Sequence, residues 1–200
     1  AHYITNMRTA AVSASAVRLL AKPDARTLAI IGAGHLAQSH LAALRRVRDF
    51  DDVRVWSPKS AASFAERNGV TLADSTRDAV QGADVVVAAT SSTTPVLEGD
   101  WLESDCLVCT VGAPRPDWRE LDDVTIARAD GRVVVDSRQA ALAESGDVKA
   151  GGRVYAELGE IICGKAAPLT SERGIVIFKS LGMAVQDIVT AQLAYKKLAQ

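Results

Sequence analysis

The chain is poor in cysteine. Cys106, Cys109 and Cys163 are the only three among 200 residues. An odd number cannot all pair, and no second pair accompanies Cys106 and Cys109 to complete a zinc site. Their C-x-x-C spacing lies in Cys-Leu-Val-Cys-Thr-Val, which reads as a buried strand. All three are expected as reduced core thiols of a cytoplasmic protein, and no metal is expected. An excess of charge is also missing. With 23 basic residues against 24 acidic ones, dispersed along the chain, there is no nucleic-acid footprint. No apolar run is long enough to span a membrane, and no signal peptide is expected. Repeats, linkers and low-complexity tracts are absent too. So is an initiator methionine: the chain opens at Ala1 and runs at once into a helical pattern. That reads as a start inside a larger protein, or as a processed or tagged terminus.

What is present is ordinary globular material, 48% hydrophobic and 24% charged, enough for one sizeable domain with a buried core. Residues 27–37, Thr-Leu-Ala-Ile-Ile-Gly-Ala-Gly-His-Leu-Ala, are the most informative stretch. A β-branched run ends in Gly32, followed by Gly34 and Ala37, and then by an apolar helical pattern. This is the strand, tight turn and helix start of a dinucleotide-binding fold. Gly32 permits the turn, Gly34 lets the backbone approach a pyrophosphate, and Ala37 lets the helix pack close. The helix start offers N–H groups and a positive dipole end to the phosphate.

Strands and helices alternate around this motif. Strands are expected at Leu28–Ile31, Val53–Trp56, Val70–Ala73, Ala83–Thr90, Leu107–Val111, Val133–Val135 and Ile175–Phe178. Helices are expected at Met7–Ala21, His35–Val47, Ala61–Arg67, Thr76–Gln81 (capped by Ser75), Gln139–Glu144, Tyr155–Cys163 and Met183–Leu198. The pattern predicts an α/β doubly wound parallel sheet with flanking N- and C-terminal helices. Residues 1–24 read as a helix linking to an absent N-terminal domain. Residues 25–174 read as the NAD(P)-binding domain, and residues 175–200 as a closing strand and helix.

The second strand ends Val-Trp-Ser-Pro-Lys. An acidic residue there would bind the adenosine ribose of NAD. Ser57 and Lys59 instead favour the 2′-phosphate of NADP(H), with NAD(H) as the alternative. His40, within the first helix after the glycine turn, is expected as a packed residue, and Asp84 as a strand-start residue.

Residues 110–121, Thr-Val-Gly-Ala-Pro-Arg-Pro-Asp-Trp-Arg-Glu-Leu, place a proline-rich loop at a strand's carboxyl end, where open α/β sheets bind ligands. Here the chain resembles the ornithine cyclodeaminase/μ-crystallin family. The matching segments run in family order: Met7–Ala11, Ile31–His40, Val53–Ser57, Gly82–Asp84, Pro95–Leu97 with Trp101, Val111–Leu121, Val135–Ser137, Glu144–Asp147, Ala156–Glu160 and Phe178–Ala184. Arg-Pro-Asp-Trp-Arg-Glu-Leu and Ser-Leu-Gly-Met-Ala are most similar to the μ-crystallin, ketimine-reducing branch.

The resemblance implies a homodimer whose substrate and dimer contacts come largely from residues preceding this region. It implies catalytic roles for Arg8, beside the substrate carboxylate and cofactor phosphates, and for Glu144, near the iminium charge. It implies cofactor contacts at Arg8, Gly32, Ala33, Gly34, His35, Leu36, Ser57, Lys59, Thr90, Ser91, Val111 and Ser180. Two positions depart from the family pattern. Pro58 stands where close members carry an Arg, which counts against NADP. Pro114 stands where cyclodeaminases carry an Asp that assists amine and water chemistry. Proline has no proton to exchange, so the position favours hydride delivery to a ready-made C=N bond. Three readings follow. One is reduction of a cyclic ketimine carboxylate such as piperideine- or pyrroline-2-carboxylate. A second is an ornithine cyclodeaminase or amino-acid dehydrogenase, and a third is a non-catalytic NADP(H)-dependent binding protein. The partner is a small imino or amino acid. The 200 residues alone are expected to bind cofactor without turnover.

Overall fold

In the computed structural model, which describes residues 2–198, eight parallel strands form one sheet in the order β3-β2-β1-β4-β5-β8-β6-β7. The strands are β1 (Thr27–Ile31), β2 (Asp52–Trp56), β3 (Thr71–Leu72), β4 (Val85–Ala88), β5 (Leu107–Thr110), β6 (Val133–Val135), β7 (Val154–Glu157) and β8 (Val176–Lys179). The helices are α1 (His2–Leu20), α2 (His35–Leu44), α3 (Ala61–Asn68), α4 (Thr76–Val80), α5 (Asp123–Ala129), α6 (Arg138–Glu144), α7 (Gly146–Lys149), α8 (Leu158–Ile162) and α9 (Ala184–Leu198). The expected doubly wound parallel sheet is present. The strand of the last segment, β8, lies inside the sheet between β5 and β6.

The central strands are covered on both faces, which is why they read as unbroken apolar runs. Alternate residues feed two cores. Leu28, Ile30, Val85 and Val87 join Val17, Leu41 and Phe64 on the α1, α2 and α3 side. Ala29, Ile31, Val86 and Val108 join Ala79, Ile126 and Ala141 on the α4, α5 and α6 side. Cys106 and Cys109 lie in this interior, where burial pushes the Cys109 thiol up to about 12 and that of Cys106 further still. Both are inert by that measure. Cys163 differs from expectation: it is exposed, at the end of α8, and no core forms around it.

Strand β7 and helices α5 and α7 depart from the sequence reading. Tyr155–Cys163 is not one helix. Val154–Glu157 pairs with β6, and the helix starts only at Leu158, where the Glu160 carboxylate accepts from the Glu157 N–H at 2.8 Å. Ala, Glu and Leu favour a helix locally, but edge pairing overrides that preference. Helix α5 is a further element without an expectation behind it. Asp122 caps it, accepting from the Thr125 N–H at 2.8 Å. The Ser75 cap on α4 is as expected, accepting from the Asp78 N–H at 3.0 Å.

Helix α1 lies on α2 through small buried residues, Thr9, Ala10, Ser13, Ala14, Ala16 and Val17, at helical spacing. The contact is pinned by His40, fully buried as expected. Its Nδ1 donates to the Leu36 carbonyl at 2.7 Å, and its Nε2 lies 2.9 Å from the Ser13 hydroxyl. Burial pushes the imidazole down to about 4, with the Leu36 carbonyl opposing. The unfolded chain therefore holds more protons than the folded one between about pH 6.5 and 4. Stability should fall across that window as pH falls, by about 3 kcal/mol in total at 1.4 kcal/mol per pH unit. Urea unfolding at pH 7 and pH 4 should show this loss, and His40→Gln should reduce it.

Candidate functional site

The sheet order reverses at β1, with β2 on one side and β4 on the other. At a switch point of this kind, loops leaving adjacent strands diverge and open a crevice beyond the strand ends. A cleft of about 740 Å³ lies there. Its walls are Gly32–Leu36 after β1, Trp56–Ser60 after β2, and Ala89–Ser92 after β4. Val96 and the first turns of α1, through His2 and Asn6, complete it.

The two turn glycines do different work. Gly32 has φ +109°, and a Cβ there would run into the Ala89 carbonyl oxygen. Its lack of a side chain lets the turn pass beside the end of β4. Gly34 has ordinary backbone angles, and nothing lies within 4 Å of where its Cβ would be. The space in front of it is the cleft. Gly34 also begins α2 without a side-chain cap, whereas Ser75, Asp122 and Ser137 cap α4, α5 and α6. Uncapped N–H groups at the positive end of a ten-residue helix, beside an open cradle, suit a phosphate.

Nine of the expected cofactor residues line this cleft: Gly32, Ala33, Gly34, His35, Leu36, Ser57, Lys59, Thr90 and Ser91. Among the described lining residues there is no carboxylate, and Lys59 stands at the β2 end. Four expected residues lie outside the lining. Val111 is buried just past β5, its N–H bonded to the Ala88 carbonyl. Ser180 donates to Asp136 Oδ2 at 2.9 Å, and the same oxygen accepts from the N–H groups of Leu181 (3.0 Å) and Gly182 (2.6 Å). Arg8 is held from α9, with Nε 3.4 Å from Asp187 and Nη1 3.4 Å from Gln186 Oε1. Its guanidinium lies where a Cβ on Gly182 would be. Glu144 is exposed at the end of α6 and has no contact with the cleft.

Behind the Thr90 wall is a charged cluster that the sequence reading did not single out. Glu120, fully buried, accepts four hydrogen bonds: from Thr90 N (2.8 Å), Thr90 Oγ1 (2.7 Å), Thr110 Oγ1 (2.6 Å) and Gly112 N (2.8 Å). Asp147 accepts from the N–H groups of Glu120 and Leu121, both at 3.0 Å, and pairs with Lys179 at 3.0 Å. Lys179 also donates to the Gly112 carbonyl at 2.7 Å and to Thr110 Oγ1 at 3.3 Å. Burial pushes the Glu120 carboxyl up, and Lys179 and its hydrogen-bond donors pull it back without cancelling the rise. The signals in the sequence were a lysine closing the apolar run Ile-Val-Ile-Phe and a glutamate before Leu121. The cleft residues Asn6, Trp56, Ser60 and Ser92 also went unremarked, because nothing in their local pattern marks them.

The proline-rich loop leaves this cluster. Ala113 adopts φ +51°, an unfavourable conformation for alanine, and Pro114 to Asp117 are exposed. Arg115 lies over the Trp118 ring, 4.8 Å from its centre.

Comparison with known proteins fits this geometry. A sequence profile of the ornithine cyclodeaminase/mu-crystallin family matches residues 1–200. The chain belongs to this family. It is 46% identical over 197 residues to the ketimine reductase mu-crystallin of Mus musculus, covering 96% of this chain and 62% of that protein. Among solved structures, a Δ1-pyrroline-2-carboxylate reductase of Thermococcus litoralis in complex with NADH and L-proline superposes with a TM-score of 0.89. Its identity is 36%, over 98% of this chain and 65% of that one. An archaeal alanine dehydrogenase dimer with bound NAD superposes with a TM-score of 0.88 at 31% identity, over 97% and 64% of the two chains. The chain thus spans about 62% of the length of the mu-crystallin it matches.

The two glycines separate fold from binding. Gly32→Ala should destabilise the protein by about 2 kcal/mol or more, because strain and a backbone collision act together. Gly34→Ala should change stability by less than about 0.5 kcal/mol, its Cβ meeting open space. Thermal or urea unfolding of the two variants checks the contrast.

Proposed function

We propose that the protein reduces a cyclic ketimine carboxylate, of the piperideine- or pyrroline-2-carboxylate kind, with a reduced nicotinamide dinucleotide. The observation that carries the reading is the cleft at the β1/β4 switch point, built from the glycine turn and an uncapped helix start. Two relatives support the substrate class by what they are: a ketimine reductase and a pyrroline-2-carboxylate reductase. When bound, the dinucleotide supplies a hydride to the carbon of the C=N bond, whose nitrogen, having taken one proton, ends as the ring amine.

The chain's part is position and charge. Gly34, His35 and Leu36 hold the diphosphate at the start of α2. Thr90, Ser91, Val111 and Ser180 border the nicotinamide half. Arg8, already oriented by Asp187 and Gln186, pairs with the substrate carboxylate or a cofactor phosphate as a guanidinium fork. Glu144 faces solvent in these residues and steadies the iminium charge only in the assembled protein. Pro114 leaves its position without a proton to exchange, which supports reduction over ring-forming deamination. A homodimer and a cytoplasmic location belong to the same proposal. Among the described residues, no helix is long and apolar enough to cross a membrane.

For the dinucleotide, we favour NADP(H). Lys59 and Ser57 stand at the β2 end of a cleft whose lining has no carboxylate. A 2′-phosphate gains a charge-assisted contact there, and a ribose hydroxyl finds no acidic acceptor.

Two measurements test the reading. Full-length protein should consume NADPH with a cyclic ketimine carboxylate and release no ammonia from ornithine; ammonia release with loss of ornithine would overturn reduction in favour of cyclodeamination. Lys59→Glu should weaken NADPH binding about tenfold, while NADH affinity changes less than about twofold. An unchanged preference would remove Lys59 from the adenosine site.

A further inference from the structure

Glu120, Asp147 and Lys179 are buried together, each no more than 1% exposed. Two carboxylates and one ammonium leave one net negative charge inside the protein. The hydrogen-bond pattern favours Glu120 as the anion. The Thr110 hydroxyl accepts from Lys179, and the Thr90 hydroxyl accepts from the Ser92 N–H at 3.2 Å. With one lone pair so engaged, each hydroxyl still has its own proton to donate to Glu120. The other two partners, Thr90 N–H and Gly112 N–H, can only donate. Two obligate donors and two hydroxyls surround the group, a setting that suits a carboxylate.

This charge does not face solvent. It stands one residue behind the cleft, bonded to both the backbone and the side chain of the lining residue Thr90. The turn after β1 holds the phosphates at the switch point. The β2 side takes the adenosine, so the β4 side, where Thr90 lies, takes the nicotinamide. An oxidised nicotinamide ring carries a positive charge and a reduced one is neutral. In a water-poor interior, a fixed charge discriminates between them.

We propose that the Glu120–Asp147–Lys179 cluster is a positioning element of the cleft. It fixes the Thr90 wall and, through its net negative charge, favours the oxidised over the reduced dinucleotide. The inference rests on the dinucleotide reading above. No residue of the cluster touches the cofactor cleft directly. Its influence passes through Thr90 and through the field.

The test is the ratio of dissociation constants for NADP+ and NADPH, measured by calorimetric titration. Glu120→Gln and Asp147→Asn each remove the net charge and should raise the ratio, weakening NADP+ relative to NADPH by about threefold or more. Lys179→Met doubles the net charge and should lower it. A merely structural role would weaken both forms together, with no opposition of sign between the carboxylate and lysine variants. Thr90→Val keeps the cluster's charge and removes one hydroxyl. It should weaken both forms and leave the ratio within about twofold, and it remains measurable if a buried charge variant fails to fold. A ratio unmoved by the charge variants, or one shifted beyond that limit by Thr90→Val, would overturn the inference alone. Failure of the unaltered protein to bind either form would overturn the dinucleotide reading and the inference with it.

Discussion

Parallel strands covered on both faces end in a difficulty: their last backbone N–H groups, and those of the loops that follow, are buried without a ladder partner. In this protein the solution is acidic. Glu120 takes the N–H groups of Thr90 and Gly112 beyond β4 and β5, and Asp147 takes those of Glu120 and Leu121. Asp136 takes those of Leu181 and Gly182 beyond β8. These three carboxylates tie the loops that follow β4, β5 and β8 at the cleft end of the sheet. Backbone N–H groups and hydroxyls around a carboxylate make charge-assisted hydrogen bonds, roughly twice as strong as neutral ones. The cost is desolvation, which pushes the Glu120 carboxyl up. Lys179 offsets part of it, pairing with Asp147 and donating to the Gly112 carbonyl in the same loop. Removing one partner would strand a buried charge, which is why such clusters hold loops in a single arrangement.

The opposite end of the sheet uses the same chemistry with less at stake. Asp84 accepts from the Arg26 and Thr27 N–H groups before β1 and pairs with Lys22, which also pairs with Asp105. Burial works against the charge on Lys22, but the two carboxylates win and hold its ammonium above the usual range. Burial likewise opposes the charge on Asp84; Lys22 and the two N–H groups more than compensate, and its carboxyl sits below the usual range. This clamp is partly open to water and screened by it, so it contributes modestly. It joins the end of α1 to the starts of β1, β4 and β5. The cleft at the switch point lies at the other end, because the strands' carboxyl ends face the divergent loops.

How far the sequence revealed this depends on the range of the forces involved. The strands and the glycine turn were legible because a buried parallel strand and a tight βα turn each dictate composition locally. Nine of the expected cofactor residues line one cleft because they follow three neighbouring strands in chain order. Strand β7 was read as part of a helix because Ala156, Glu157 and Leu158 favour a helix, and pairing with β6 makes Val154–Glu157 a strand. The acidic cluster was illegible for the same reason. Glu120 and Lys179 are 59 positions apart in the chain, and nothing near either residue announces the other. Arg8, Ser180 and Glu144 came from resemblance, and their surroundings here differ. Two are tied into hydrogen-bond networks, and one faces solvent.

Helix α1 is where fold and site converge. Its small residues pack on α2 and His40 pins it through Ser13, so its position follows from the first βα unit. Its opening turns then line the cleft through His2 and Asn6, and Arg8 lies across Gly182. Gly182 is itself fixed by Asp136, and Arg8 is drawn to α9 by Asp187. Helix α9 buries none of its described residues and exposes Ile188, Leu193 and Tyr195, so contacts such as this ion pair, and not a core of its own, set its place within these residues. A ligand in the cleft would touch the loops after β1, β2 and β4 and helix α1 at once. Its binding energy would then fall on the contact between α1 and the sheet, and through Arg8 on α9. The cleft therefore links the glycine turn to α1, which the core holds firmly, and through Arg8 to α9, which buries none of its described residues.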